Sequence, residues 1–174
     1  MNEDTEKKVL LIGVGSNLGN RYLNIYKASC LLSEKLNSDV VVSNIYESLP
    51  WGETEQPRFL NTVVKAETNL NAIQVLEITQ SLELEMGRVI TKKWGPRVID
   101  LDLLYLGNEV LNEERLSLPH QYMAERNFVY TPLFDLAPNF IDPLKELKLT
   151  EIYKPDFTGL SLFAPSHNTE IKCF

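Results

Sequence analysis

Trp94-Gly95-Pro96-Arg97-Val98-Ile99-Asp100-Leu101-Asp102, continued by Leu103-Leu104-Tyr105-Leu106, decides how this chain folds. The apolar run over residues 98–106 reads as a buried β-strand. Side chains alternate along a strand, so Asp100 and Asp102 project from one face while Ile99, Leu101 and Leu103 project from the other. Two carboxylates side by side repel each other and cost desolvation energy unless a cation neutralises them. A hard divalent metal, Mg²⁺, held by oxygen ligands is the simplest account. Arg97 adds a planar fork suited to phosphate oxygens. An acidic pair beside such an arginine points to phosphoryl or nucleotidyl chemistry. The competing reading is an exposed edge strand with solvated acids, and the apolar neighbours count against it.

By length and composition, 174 residues with 44% apolar side chains make one globular domain. A formal charge of -7 argues against a non-specific nucleic-acid binder, whose affinity comes from clustered Lys and Arg. Basic residues are nonetheless concentrated locally, with Arg88, Lys92, Lys93, Arg97, Arg115 and Arg126 inside one third of the sequence. Cys30 and Cys173 are too few and too far apart for a disulfide framework, and no Cys/His spacing fits a metal site. The N-terminus is polar, and the apolar segment after it is only a strand long, which argues against a signal peptide or a membrane span. The expectation is a soluble, cytoplasmic protein with neither nucleic acid nor membrane as a partner.

Outward from the acidic strand, the remaining elements fall into a regular order. Residues 9–14 are an apolar run stopped by Gly15-Ser16-Asn17-Leu18-Gly19-Asn20, a strand and then a turn. Residues 21–36 carry Leu23, Tyr26, Leu31 and Leu32 at roughly helical spacing, with Asn20 as the cap. Residues 39–46 read as a second strand, 47–58 as a loop, 59–68 as a third strand, and 71–86 as a second helix ending at Gly87. Gly107-Asn108-Glu109 reads as a hairpin turn feeding Val110-Leu111, and residues 123–136 as a helix that Pro132 interrupts or kinks. The order β-α-β-β-α-β predicts an α+β, ferredoxin-like core. Two crossovers interleave into an antiparallel sheet with both helices on one face, joined by the additional hairpin and a C-terminal helix. The opposite face is left for additions or a ligand. Residues 1–174 then form a single domain with its core at 9–143 and an irregular extension over 150–174.

Several residues carry chemistry in this frame. The loop from Arg88 to Arg97 combines positive charge, Trp94 and Gly-Pro punctuation, as suits a lid closing over a polyanion. The Gly15–Gly19 turn lacks the Lys-Ser/Thr of a phosphate loop, so a turn satisfying its own backbone is as good a reading as a ligand contact. Glu83, late in the second helix, gains interest only from the charged loop and acidic strand behind it. His120 beside Pro119 is a candidate phosphate contact. Phe59 and Asn61 share one strand face, where a flat ring and an amide could meet a planar ligand and its edge. Arg126 and Phe128, two apart, cannot share a helix face and would serve different subsites.

Together these segments resemble the 6-hydroxymethyl-7,8-dihydropterin pyrophosphokinase family of folate biosynthesis. The resemblance rests on the turn at 15–18, Gln56-Pro57-Arg58-Phe59-Leu60-Asn61, Glu83 to Arg88, Trp94 to Asp102, Gly107-Asn108-Glu109-Val110 and Leu118-Pro119-His120. It implies transfer of pyrophosphate from ATP to the hydroxymethyl oxygen of the pterin, with release of AMP. It implies that Asp100 and Asp102 hold two Mg²⁺ ions bridging the ATP phosphates, and that Arg88 and Arg97 join them as catalytic residues. Gln80, Glu83, Trp94, Arg97, Leu103, Arg115, Ser117, His120 and Arg126 correspond to ATP contacts. Phe59 and Phe128 would sandwich the pterin, with Asn61, Asp100 and the chain around Ser48, Leu49 and Trp51 reading its edge. A monomer is implied, and the tail is either a contact for dihydropteroate synthase, the next enzyme of the pathway, or disordered chain.

The sequence also departs from the family pattern. Phe59 stands where a Tyr is familiar, Gln121 where an aromatic is familiar, and Ile90 where a second catalytic Arg is expected, with Lys92 or Lys93 as the substitute. Two other classes compete: a metal-dependent phosphohydrolase, which lacks further ligands and a water-activating His, and a ferredoxin-like RNA-binding module, which the acidic balance opposes.

Overall fold

The computed structural model describes residues 7–52, 54–89 and 95–166. The expectations placed on Ile90, Lys92, Lys93 and Trp94 lie outside the described residues. β1 (Lys8–Ser16) leads through the turn to α1 (Arg21–Leu36), whose first turn is capped by the Asn20 side chain accepting the Leu23 N–H at 3.1 Å. β2 (Val41–Val42) and β3 (Ile45–Ser48) follow, then β4 (Phe59–Thr68). α2 (Ala72–Glu85) opens with a reciprocal Asn71–Gln74 capping box and is followed by Gly87 at φ 86, a conformation a side chain would strain. β5 (Asp100–Leu106) is the acidic strand. The sheet runs β10-β3-β4-β1-β5, where β10 is Leu160–Ala164, with β2 also on β4 and every pairing antiparallel.

The two sheet faces carry different cargo. Leu10, Ile12 and Val14 of β1, Leu60 and Val64 of β4, and Leu101, Leu103 and Leu106 of β5 form one core with α1 and α2. Leu11, Val63, Leu104 and Tyr105 face the other side, where they meet Val129 and Leu133. Between Leu103 and Tyr105 the pairing with β1 slips by one residue, leaving Leu104 as a bulge. Asp100, Asp102 and Tyr105 thereby all face away from α1 and α2. Tyr105 donates its hydroxyl to buried Asp142 at 2.7 Å, which ties the C-terminal part of the chain to this face.

Four expectations are corrected. The single strand over 39–46 is two strands, because the Ser43 hydroxyl accepts the Val63 N–H at 2.9 Å and displaces a backbone carbonyl from the ladder. After the 107–109 turn the chain does not pair back on β5; instead β6 (Leu111–Asn112) pairs with β7 (Ser117–Leu118) in a separate hairpin. The helix over 123–136 is a 3-10 turn (Met123–Glu125) and then α3 (Asn127–Leu136). The break lies at Arg126, whose backbone is extended (φ -120, ψ 90), and Pro132 sits inside α3. Finally, the extension expected to be irregular from 150 onward contains regular elements among its described residues, preceded by a hairpin. β8 (Ile141–Asp142) and β9 (Leu147–Lys148) form a hairpin, α4 (Leu149–Ile152) follows, and β10 (Leu160–Ala164) closes the exposed edge of β3. Such a strand has no strong periodicity of its own, since its stability comes from a distant edge. No helix among the described residues is long and apolar enough to cross a membrane.

Candidate active site

The site starts from one row of the sheet. Gly15 of β1 lies opposite Asn61 of β4 on one side and Asp100 of β5 on the other, and one row along, Gly13 lies between Val63 and Asp102. Two strand spacings separate the Asn61 and Asp100 backbones, about 10 Å. A Cβ on Gly15 would stand 3.3 Å from Asn61 Oδ1, 3.7 Å from the Phe59 ring and 3.9 Å from Asp100 Cβ. The glycine therefore keeps a floor open between amide, ring and carboxylate. Above it is a cavity of about 710 Å³, lined by every described residue that the family resemblance assigned to catalysis, ATP or pterin. On the sheet and the loop after β3 these are Ser48, Leu49, Trp51, Phe59, Asn61, Asp100, Asp102 and Leu103. Helix α2 and the chain flanking residues 89 and 95 contribute Gln80, Glu83, Arg88 and Arg97, and the later segments contribute Arg115, Ser117, His120, Arg126 and Phe128.

Three arginines surround the acidic pair. Arg88 Nη1 reaches Asp100 Oδ1 at 2.9 Å, Arg97 Nη1 reaches Asp100 Oδ2 at 2.8 Å, and Arg126 Nη1 stands 3.5 Å from Asp102 Oδ2. Glu83 is buried in α2 and pairs with Arg88, and its Oε1 also accepts the Leu101 N–H at 2.7 Å. A side chain thus takes the place of a neighbouring strand on the free edge of β5. Burial raises the Glu83 carboxyl above the ordinary range, with Arg88 and the Leu101 amide opposing the shift. Burial and the nearby Asp100 charge push Asp102 up to about 7, partly offset by Arg126. A carboxylate pair so strained suits a divalent cation, and the two groups offer the oxygen donors that Mg²⁺ requires. No cluster of three His, Cys, Asp or Glu side chains is present among the described residues, so the remaining ligands would be water and phosphate oxygens.

The turn at 15–18 is a brace. Asn17 Oδ1 accepts the Arg97 N–H at 2.7 Å, and its own N–H donates to the Arg97 carbonyl at 3.1 Å. Its Nδ2 donates to Gln56 Oε1 at 3.0 Å and to the Pro57 carbonyl at 3.2 Å. Ser16 Oγ donates to the Val98 carbonyl at 2.6 Å, and Asn24 Nδ2 reaches that carbonyl at 3.2 Å. These bonds hold the chain just before β5 and the loop before β4 against one another.

His120 is held by the bulge in β5, where the unpaired Leu104 carbonyl accepts its N–H at 3.1 Å. Burial and then the Arg126 charge lower its pKa to about 4. At neutral pH it is an uncharged imidazole, a hydrogen-bond donor or acceptor, and not a cationic phosphate ligand. Arg126 is not on a helix with Phe128, so the argument from helix faces does not apply, and both side chains line the cavity. Sequence reasoning missed Tyr122, which lines the same cavity beside Gln121. Its proximity to His120 and Arg126 in the sequence was the available signal.

Comparison with known proteins places the chain in a family. Residues 11–138 match the family described as 7,8-dihydro-6-hydroxymethylpterin-pyrophosphokinase (HPPK). The 2-amino-4-hydroxy-6-hydroxymethyldihydropteridine pyrophosphokinase of Haemophilus influenzae is 39% identical over 144 residues, covering 82% of this chain and 89% of that protein. The protein of the same name from Aquifex aeolicus is 40% identical over 147 residues, covering 84% and 91%. A solved Plasmodium falciparum HPPK-DHPS structure superposes with a TM-score of 0.68 at 13% identity, over 93% of this chain and 48% of that one, a likeness of fold. The chain belongs to the 7,8-dihydro-6-hydroxymethylpterin-pyrophosphokinase family.

Proposed function

We propose that this chain transfers pyrophosphate from ATP to the hydroxymethyl oxygen of 6-hydroxymethyl-7,8-dihydropterin, an Mg²⁺-dependent step of folate biosynthesis that releases AMP. The observation that carries the reading is the row Asn61–Gly15–Asp100, with the arginines beyond it. A planar ring lying on Gly15 meets an amide on one side and the acidic pair on the other. The Asn61 amide is oriented by its Nδ2 donating to Ser48 Oγ at 2.8 Å, so that its oxygen and remaining N–H address the ring edge. Phe59 and Phe128 flank the ring.

In this reading Asp100 and Asp102 would hold two Mg²⁺ ions, which when bound neutralise phosphate charge and polarise the transferred group. Arg97 and Arg88, now paired with Asp100, then turn their donors to the phosphates and meet the charge that grows as the α–β bridge breaks. The pterin oxygen forms the new bond to the β-phosphorus, its proton leaves to Asp102 or solvent, and AMP departs with the bridging oxygen. Gln80, Glu83, Leu103, Arg115, Ser117 and His120 form the nucleotide side of the cavity. The strand order β3-β4-β1-β5 with α1 and α2 on one face supports a ferredoxin-like core within a single domain, to which β10 is added. The same reading makes the protein a monomeric, cytoplasmic enzyme whose product is taken by dihydropteroate synthase.

The test is incubation with ATP, Mg²⁺ and the pterin, followed by quantification of AMP. Pterin-dependent AMP that is lost in Asp100→Ala and Asp102→Ala, both still folded, is expected. Orthophosphate release without pterin would favour a phosphohydrolase and sink the proposal.

A further inference from the structure

One group in the cavity is oriented in an unusual way. Arg126 leaves the chain at the extended joint between the 3-10 turn and α3, and its guanidinium carbon lies 4.5 Å from the centroid of the Trp51 ring and 5.3 Å from that of Tyr122. The two rings are 6.0 Å apart, inclined at 45°, so they form an open clamp. Hydrogen bonding does little to hold the guanidinium. Its approach to Asp102 Oδ2, at 3.5 Å, is at the limit of a bond, and among the described residues its buried Nε has no hydrogen-bond partner. A buried, unpaired donor in a cavity lined by acids and arginines is a group awaiting an acceptor. Aromatic faces favour the cation without using up its N–H groups.

Tyr122 is the hinge of this arrangement. Besides facing Arg126, its ring lies 6.2 Å from the His120 ring, edge to face, and its N–H donates to His120 Nδ1 at 3.4 Å. Accepting at Nδ1 leaves the proton of the neutral imidazole on Nε2. One residue thus faces the arginine and sets the tautomer of its histidine neighbour. Trp51, on the loop after β3, closes the clamp from the pterin side of the cavity.

We propose that Tyr122 is a positioning residue for nucleotide binding: with Trp51 it holds the Arg126 guanidinium flat, so that its free N–H groups meet a phosphate oxygen of the bound nucleotide. The proposal rests on the reading of the cavity as a nucleotide site, and it locates the aromatic function in Tyr122, with Gln121 outside the clamp.

The probe is α,β-methylene-ATP with Mg²⁺ and no pterin, titrated calorimetrically into the full chain. Tyr122→Leu is expected to weaken binding by about tenfold, and Tyr122→Phe, which keeps the ring, to restore it to within about twofold of wild type. Because Tyr122 acts through Arg126, Tyr122→Leu placed in an Arg126→Met background is expected to add no further loss. Wild-type affinity in Tyr122→Leu, or an equal loss in both backgrounds, overturns the proposal. Trp51→Leu carries the same expectation from the opposite side of the clamp and replaces Tyr122→Leu if that variant does not fold. Wild-type protein that fails to bind the probe overturns both the clamp and the functional reading. Binding that follows the cycle, in a protein making no pterin-dependent AMP, upholds the clamp and rejects the reaction.

Discussion

Asn17→Ala separates the brace from the chemistry it supports. The side chain is 2% exposed and makes three hydrogen bonds: Oδ1 with the Arg97 N–H, and Nδ2 with Gln56 Oε1 and the Pro57 carbonyl. Alanine leaves a buried N–H and a carbonyl unpaired, at a net cost of about 1 kcal/mol per bond, or about 3 kcal/mol in all. For a chain of 174 residues that corresponds to a fall in Tm of roughly 6–12 °C. The chemical effect is separate. Among the described residues the Arg97 backbone is then held only through the Asn17 N–H, and its fork, 2.8 Å from Asp100, loses its placement. A displacement on the order of 1 Å at such a group costs up to about 100-fold in rate. Thermal unfolding followed by circular dichroism gives the first quantity, and AMP release at saturating ATP and pterin gives the second. Asn17→Asp keeps the acceptor for Arg97 but sets a carboxylate against the Pro57 carbonyl, so it should lose stability while keeping more of the rate. A Tm within about 2 °C of wild type together with an unchanged rate in Asn17→Ala would refute the reasoning.

Other perturbations follow from the same geometry. Gly15→Ala should weaken pterin binding while leaving Tm nearly unchanged, since the new methyl meets Asn61 Oδ1 at 3.3 Å; equal pterin affinity by fluorescence titration would contradict this. Arg97→Ala should lower kcat/KM for ATP by about 2–4 kcal/mol of transition-state stabilisation, measured by steady-state AMP release. Mg²⁺ titrated at pH 7 should expel protons, because a cation on Asp102 drives down a carboxyl that stands at about 7. Calorimetry in buffers of different ionisation enthalpy detects this, and Asp102→Asn should abolish it. His120 has a folded pKa of about 4 against about 6.5 unfolded, so the unfolded chain binds the extra proton between those values. Its contribution to stability is complete above pH 6.5 and is lost as the pH falls toward 4, about 3 kcal/mol in total. Urea titrations across that range should show a shallower slope in His120→Gln, and an unaltered slope would exclude the assignment.

The strong local signals of this chain were legible. β4 spans Phe59–Thr68 and α1 spans Arg21–Leu36, as alternation, helical spacing and the Asn20 cap require. Asp100 and Asp102 share a face, as strand geometry demands. What escaped the reading depends on distant partners. Ser43 breaks its strand only because Val63 lies across from it, and Arg126 breaks a helix because its side chain has Trp51, Tyr122 and Asp102 to reach. β10 is a strand because β3 has an edge to cover. Within the site, each expected side chain among the described residues reached the cavity, yet the state of His120 and the place of Tyr122 depended on burial and ring geometry that no spacing encodes.

The bulge at Leu104 makes the length of β5 as consequential as its composition. Upstream of it the strand aims two carboxylates into the cavity, and downstream, after one step out of phase, it aims Tyr105 toward Asp142 on that same face. The surplus residue lends its carbonyl to His120. Removing the codon for Leu104 would restore regular alternation, with Tyr105 still opposite Leu11 and facing Asp142, but would take away the carbonyl that holds the histidine. Substitutions along this strand can be graded by size and charge. A change in its count would instead erase the irregularity through which the strand also holds the histidine.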